Sequence, residues 1–155
     1  MKQVLSIIAI AILTGCASST PNNPAAEQAI EQAIRDEISK PEGELTAADL
    51  VKIKNLGFRL KEKEISDLGL LTDLTQIEEL RLSFNKINDV RPLKDLKQLR
   101  VLNLSDNQIT DVSALKGLKQ LRRLNLSYNP DLTKDKIGEL QKALPNCDII
   151  HNAAK

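Results

Sequence analysis

Residues 96–107 read LKQLRVLNLSDN, and residues 118–129 repeat them almost letter for letter as LKQLRRLNLSYN. A looser copy, LTQIEELRLSFN, stands at residues 74–85. The three stretches begin 22 residues apart, with leucine or isoleucine at the first, fourth, seventh and ninth positions and asparagine at the twelfth. This fixed interval predicts stacked copies of one structural unit, because each copy can then bury the same columns of side chains against its neighbours.

The spacing L-x-x-L-x-x-L-x-L-x-x-N resembles the leucine-rich repeat, whose units span about 20–29 residues. The resemblance implies that each unit is a short strand, a turn at the asparagine and a return segment. We therefore predict an α/β fold: a short solenoid with a parallel sheet on its concave face, a helical N-terminal cap and a C-terminal cap of one helix and one strand.

The repeats are predicted to occupy residues 57–132, and the first of them is degenerate. Phe58 and Leu60 lie 22 residues before two inward leucines of the next unit, but Lys63 replaces the asparagine. We therefore expect a first strand across residues 57–61. The other predicted parts are a signal peptide at 1–15, a lipidated cysteine and tether at 16–23, the N-terminal cap at 24–56 and the C-terminal cap at 133–151.

The composition argues against several classes of function. The chain has 22 basic and 21 acidic residues, and removing residues 1–15 leaves 21 of each. Proteins that bind nucleic acid usually carry a marked basic excess, so nucleic acid is not expected as a partner. The sequence also lacks a glycine-rich phosphate loop, a zinc-spaced Cys/His cluster and a plausible nucleophile system. We expect neither catalysis nor a bound metal or cofactor.

The N-terminus resembles a processing signal. Lys2 precedes an apolar run at residues 4–13, which is about half the length that a helix needs to cross a bilayer. The run ends in LTGC at residues 13–16, which resembles the lipobox of bacterial lipoproteins; a secretory signal and an uncleaved anchor are the alternatives. The lipobox implies cleavage before Cys16 and anchoring through several acyl chains on it. Ala17 rather than aspartate follows, which in Gram-negative relatives implies sorting to the outer membrane.

Two helices are predicted before the repeats. Apolar residues recur at helical spacing across residues 24–40, and Pro41 with Gly43 then ends the pattern. A second helix is expected to start at Thr46, because Thr46 and Asp49 approximate a capping box. These helices could form a docking element, but we favour a lid that covers the apolar face of the first repeat.

A third helix is predicted at residues 135–144, and LPNCDI follows at 144–149. This ending resembles the Leu-Pro-x-Cys-x-Ile segment that closes many leucine-rich-repeat proteins, which implies a fifth strand with Cys147 and Ile149 inward. Since Cys16 is taken by lipid, Cys147 has no disulfide partner and is expected to be buried. With the KPEGELT link at 40–46, most of the chain resembles the internalin-type repeat of bacterial envelope proteins, a resemblance that is specific for fold and not for ligand.

Two columns of polar residues follow the strands. We interpret Asn85, Asn107 and Asn129 as a structural ladder, because an amide side chain can satisfy backbone groups at a tight turn. We expect the carboxylates of Asp67, Asp89 and Asp111 to accept from free N–H groups of short turns. A calcium site built from these carboxylates is the alternative.

The remaining candidate site is the exposed face of the sheet. In an x-L-x-L-x strand the leucines point inward, so the side chains between them project from the surface. Arginine and tyrosine are frequent at binding hot spots, whereas the alternative is a merely solvated face. The residues that we predict to bind a partner are Arg59, Lys61, Glu79, Arg81, Phe84, Asn103, Arg123, Asn125 and Tyr128.

The leading hypothesis is therefore a monomeric, lipid-anchored protein of the bacterial cell envelope that binds another envelope or extracellular protein. A first alternative is a structural envelope lipoprotein whose cations contact an anionic cell-wall glycan. A second alternative is an inhibitor of a secreted enzyme, which the sequence does not separate from the leading hypothesis.

Overall fold

The computed structural model describes residues 23–153, in which a five-stranded parallel sheet runs in the order β1 to β5. The predicted signal peptide, Cys16 and the tether up to residue 22 lie outside the described residues. Within 23–153, no helix is both long enough and apolar enough to cross a bilayer. The elements are α1 (Pro24–Glu37), α2 (Ala47–Leu50), β1 (Asn55–Leu56), β2 (Glu79–Arg81), β3 (Val101–Asn103), β4 (Arg123–Asn125), α3 (Lys134–Ala143) and β5 (Asp148–Ile150), with short 3-10 segments at Phe58–Leu60, Gly69–Leu71, Arg91–Asp95 and Ser113–Gly117.

The 22-residue interval sets the register of the central strands. Leu80, Leu102 and Leu124 are partners across β2, β3 and β4, and all three side chains are fully buried. Three of the 3-10 segments pack on one another in the same order, namely Gly69–Leu71, Arg91–Asp95 and Ser113–Gly117. The inward columns join into one aliphatic core that extends from α1 to Cys147. The predicted α/β solenoid with a parallel sheet is confirmed.

The asparagine column bonds each coil to the one before it. Asn107 Oδ1 accepts from the N–H of Ile87 at 3.0 Å, and Asn107 Nδ2 donates to the carbonyl oxygen of Leu82 at 2.9 Å. Both partners belong to the preceding coil. Asn85 and Asn129 make the corresponding bonds one coil earlier and one coil later. The three amides therefore form a buried ladder along the solenoid.

The first coil differs from the predicted one. Leu56 of β1 pairs with Leu80, which lies 24 residues later. Leu60 lies 22 residues before Leu82 and takes the equivalent position, because Asn85 donates to the carbonyl oxygen of Leu60 as Asn107 donates to that of Leu82. The extra length between Leu56 and Leu60 forms the 3-10 turn Phe58–Leu60. The predicted strand across residues 57–61 is therefore wrong, because an insertion of two residues displaces the strand toward the N-terminus.

The last coil also departs from the prediction. Ile149 pairs with Leu124 and so takes the first inward position of β5. Cys147 comes before the strand, where its N–H donates to the carbonyl oxygen of Leu144 in a tight turn. The prediction that Cys147 lies inward in the fifth strand is therefore wrong. The expectation that it is buried is confirmed, since it is 5% exposed, and burial raises the pKa of its thiol to about 11.

Helix α1 lies against the first coil and buries its apolar side. Ile30 and Ile34 join the core, and Asn23 Oδ1 accepts from the N–H of Ala26 at 2.8 Å, which caps the helix N-terminus. The helix ends at Glu37, three residues earlier than predicted. Ser39 there has a φ of +54°, a left-handed conformation that commonly terminates helices. This arrangement is that of a cap over the first coil.

Helix α2 is a single turn that starts after Thr46. The carboxylate of Asp49 accepts from the backbone N–H of Thr46 at 3.1 Å and from Lys40 Nζ at 2.7 Å. The bond from Lys40, followed by those from Thr46, holds the pKa of Asp49 well below its usual range. The carboxylate thereby ties the α1–α2 link to the start of α2.

We expect Asp49 to stabilise the fold at neutral pH but not in strong acid. A carboxyl whose pKa is lower in the folded chain than in the unfolded chain contributes fully above its unfolded pKa of about 4, and loses that contribution as the pH falls through the folded value. The difference in free energy of unfolding between wild type and Asp49→Asn should be constant above about pH 5 and shrink below about pH 4. Urea denaturation at pH 7, 5 and 3 measures it; a difference that grows in acid would contradict this assignment.

Candidate binding surface on the sheet

The outward side chains of β2 to β5 form one surface, which we call the sheet face. Its members are Glu79, Arg81, Val101, Asn103, Arg123, Asn125, Asp148 and Ile150. The register places Asn103 beside Asn125 and Val101 beside Arg123, at the spacing of about 4.8 Å between neighbouring strands. Because the inward leucines behind these residues are fully buried, the packed core holds the sheet face in one shape.

Two residues that were predicted on this surface lie elsewhere. Arg59 is in the 3-10 turn, where its Nη1 lies 2.7 Å from Oδ2 of Asp36 in α1. Lys61 follows the turn, and its Nζ lies 4.6 Å from the centroid of the Phe84 ring. Neither residue is in β1. The two-residue insertion moves both off the strand, and Arg59 instead links the cap to the first coil.

The N-terminal half of the sheet face is nearly neutral. Arg81 Nε lies 2.6 Å from Oε1 of Glu79 within the same strand. Directly before the strands, Glu78 lies 3.4 Å from Lys54 Nζ and 3.6 Å from Arg100 Nε. Acids and bases alternate here, so the charges are largely compensated within the protein.

The C-terminal half differs, because Arg123 on the sheet face and Arg122 directly before β4 have no acidic partner among the described residues. Arg122 and Arg123 are both exposed, and neither forms an ion pair with any residue of the described part of the chain. Asp148 is the register partner of Arg123 on β5 but does not pair with it. The other arginines of residues 23–153 all contact a carboxylate, namely Arg35, Arg59, Arg81, Arg91 and Arg100.

The two central asparagines have fixed orientations. Asn103 Oδ1 accepts from the N–H of Ser105 at 3.0 Å, and Asn125 Oδ1 accepts from the N–H of Ser127 at 3.0 Å. A backbone N–H can only donate, so each amide oxygen is held against its own strand end. The NH₂ group of each amide is then the end that remains for other partners.

A row of residues in the left-handed conformation borders the sheet face. Phe84, Asp106 and Tyr128 have φ values of +57°, +56° and +56°, which are uncommon for residues other than glycine. The N–H groups of Phe84 and Asp106 donate to carbonyl oxygens of the next coil, and that of Tyr128 donates to Asn152 Oδ1 at 2.7 Å. Sequence reasoning missed this conformation, since the three side chains share no chemistry. The turn displays Phe84 at 47% exposure and Tyr128 at 65%.

The aspartate column caps the turns. Asp67, Asp89 and Asp111 each accept from the N–H two residues later, at 2.7, 2.9 and 3.1 Å. The Arg91 guanidinium lowers the pKa of Asp89, and the Ser113 hydroxyl lowers that of Asp111. In the part of the chain that the structure describes, no grouping of His, Cys, Asp and Glu could hold a metal ion.

Comparison with known proteins agrees with the architecture. The leucine rich repeat family matches residues 75–130, which include β2 to β4 and the asparagine ladder. The fold of the described residues is that of a leucine-rich-repeat solenoid. No curated protein matches the sequence.

Several bacterial proteins of known structure are similar to this leucine-rich-repeat solenoid. Internalin C2 of Listeria monocytogenes is 25% identical with a TM-score of 0.70, over 92% of this chain and 63% of that one. Internalin F of the same organism is 20% identical with a TM-score of 0.60, and the match covers 88% of this chain and 48% of that one. A leucine-rich-repeat protein of Leptospira interrogans is 26% identical with a TM-score of 0.50, and the match covers 68% of this chain and 28% of that one. The solenoid thus spans less than two thirds of the length of each relative.

Proposed function

We propose that this solenoid is a non-catalytic, lipid-anchored protein of the bacterial envelope that binds another envelope or extracellular protein through the sheet face. The observation that carries the proposal is the location of exposed apolar groups. Among the side chains that the structure describes, the large hydrophobic ones that are exposed are Val51, Phe84, Tyr128 and Ile150. Three of these four lie on the sheet face or in the row beside it, whereas only Val51 lies in the N-terminal cap.

The scaffold suits a binding function, because its surface is ordered before any partner arrives. The core leucines and the asparagine ladder hold the sheet face from behind. A preorganised surface loses little conformational entropy on association, which favours affinity. The left-handed row adds exposed aromatic rings, and aromatic residues are enriched at protein interfaces.

The lipobox at residues 13–16 supports the anchoring part of the proposal. Residues 17–23 would reach at most about 24 Å from a lipidated Cys16, and Asn23 begins the cap at the β1 end of the sheet. The solenoid would then be held close to the membrane, with β5 at its far end. Mass spectrometry of the mature N-terminus should find an acylated cysteine, and Cys16→Ser should release the protein from membranes.

Site-specific crosslinking in cells tests the binding part. A photoreactive residue at position 103, in the middle of the sheet face, should form an adduct with a discrete partner. The same residue at position 94, which is exposed on the 3-10 segment behind the sheet, serves as the matched control and should not form that adduct. The proposal fails if both positions give the same adducts, or if position 103 gives none.

A further inference from the structure

Charges are not evenly compensated along the column that precedes the strands. Lys54, Glu78, Arg100 and Arg122 each lie two residues before the first inward leucine of their coil. Glu78 is shared between Lys54 and Arg100. The residue before Arg122 in this column is Arg100, whose one carboxylate partner, Glu78, also contacts Lys54. No carboxylate of the column is therefore left for Arg122, and Arg123 adds a further guanidinium on the sheet face. This corner of the solenoid has a local excess of positive charge.

Apart from the carboxylates of Asp148 and Asp106, the polar side chains beside these arginines offer mainly hydrogen-bond donors. The oxygens of Asn103 and Asn125 accept from backbone N–H groups of the same chain, which leaves their NH₂ groups as the ends that can bond to a ligand. A guanidinium is also a donor with no acceptor atom. Asp148 at the edge of the sheet is the single carboxylate of this half of the sheet face. A ligand that satisfies the surface must therefore supply acceptors, and preferably charged ones.

Apolar groups are interleaved with these donors. Ile150 is the register partner of Asn125 and is 43% exposed, and Tyr128 is 65% exposed at the end of β4. Peptide segments present carboxylates and apolar side chains side by side, together with backbone carbonyls that can accept from amide NH₂ groups. A polymer that is bound by charge alone would leave the apolar groups without contacts.

We infer that the C-terminal half of the sheet face binds an acidic segment of a protein partner. Arg123 on the sheet face and Arg122 directly before β4 bind its carboxylates, for which the planar guanidinium fork is well matched. Asn103 and Asn125 donate to its carbonyl oxygens, and Tyr128 contacts its apolar side chains. The inference rests on the proposed function and names the chemistry of the partner.

Binding of a defined peptide tests the inference. The probe is a fluorescent ten-residue peptide of alternating Glu and Tyr, titrated with the full-length protein and followed by fluorescence anisotropy. The double reversal Arg122→Glu with Arg123→Glu should weaken binding at least about tenfold. The control Lys134→Glu with Lys142→Glu makes the same change in net charge on exposed α3 residues and should change the affinity less than about twofold.

A second pair of variants tests the donors without truncating them. Asn103→Asp with Asn125→Asp keeps an oxygen for the N–H of Ser105 and of Ser127 but replaces each outward NH₂ by an acceptor, and should also weaken binding. The control Gln76→Glu with Gln108→Glu makes the same change in charge on exposed residues outside the strands and should not. Added salt should weaken wild-type binding, because exposed charges are screened.

The outcomes separate this inference from the proposed function. Equal binding by the arginine reversal, or equal binding of a Lys–Tyr peptide, overturns the inference even if crosslinking from position 103 finds a partner. Arginine-dependent binding to isolated cell-wall sacculi without binding of the Glu–Tyr peptide assigns the corner to an anionic polymer and also overturns it. If the peptide binds in a manner that depends on the arginines but position 103 gives no adduct in cells, the preference for acidic segments stands and the proposed function is refuted.

Discussion

Replacement of Asn107 by alanine should lower the free energy of unfolding by about 3 kcal/mol. The side chain is 5% exposed and bonds to backbone groups of two coils. Several of those groups have other partners, because the carbonyl oxygens of Leu82 and Leu104 also accept from the asparagines of the adjacent coils. The N–H of Ile87 instead donates to Asn107 Oδ1 within the core. Alanine leaves this donor buried without a partner, which is the largest part of the expected loss.

Urea denaturation followed by circular dichroism measures this loss. Gln108→Ala is the matched control, because Gln108 is adjacent and exposed, and such substitutions usually change stability by less than about 0.5 kcal/mol. If Asn107→Ala costs less than about 1 kcal/mol, the ladder is not a main source of cohesion between the coils.

Ile30→Asp should detach α1 from the first coil and lower the free energy of unfolding by at least about 3 kcal/mol. Ile30 is fully buried, and α1 packs on β1 and on the 3-10 turn that follows it. A carboxylate at this position either remains buried without a partner or forces the helix away. In the second case Leu56 and Leu60, which are fully buried in the intact protein, meet water. A terminal coil that loses its cap is destabilised in this way in repeat proteins generally.

Hydrogen exchange separates detachment of the cap from global unfolding. Amides of α1 and β1 should lose protection in Ile30→Asp, whereas amides of β3 and β4 should retain it in proportion to the remaining stability. Gln28→Asp places the same group on the exposed side of α1 and should preserve protection throughout. Unchanged protection in Ile30→Asp would show that α1 does not act as a lid.

The central coils could be predicted closely from the sequence. The inward leucines of β2 to β4 have the register that the 22-residue interval predicts, since a repeated interval places equivalent side chains one above another. The two ends could not be predicted as well. Leu56 pairs at an interval of 24 residues, and Cys147 lies before β5. Terminal coils pack on a cap instead of on another repeat, so their spacing need not follow the repeat.

For β2 to β4, the sequence by itself determined which residues line the core and which alternate with them on the surface, because that division follows from the repeat period. The tertiary structure alone decided which surface charges are compensated. Arg81 and Arg123 both lie next to the first inward leucine of their strand, Arg81 after it and Arg123 before it. Arg81 has Glu79 as a partner, whereas Arg123 has no ion pair among the described residues. It also decided that the amide oxygens of Asn103 and Asn125 accept from backbone N–H groups of their own coils. Ion pairs and hydrogen bonds depend on distances of a few ångströms between particular atoms, and a repeat pattern does not contain those distances.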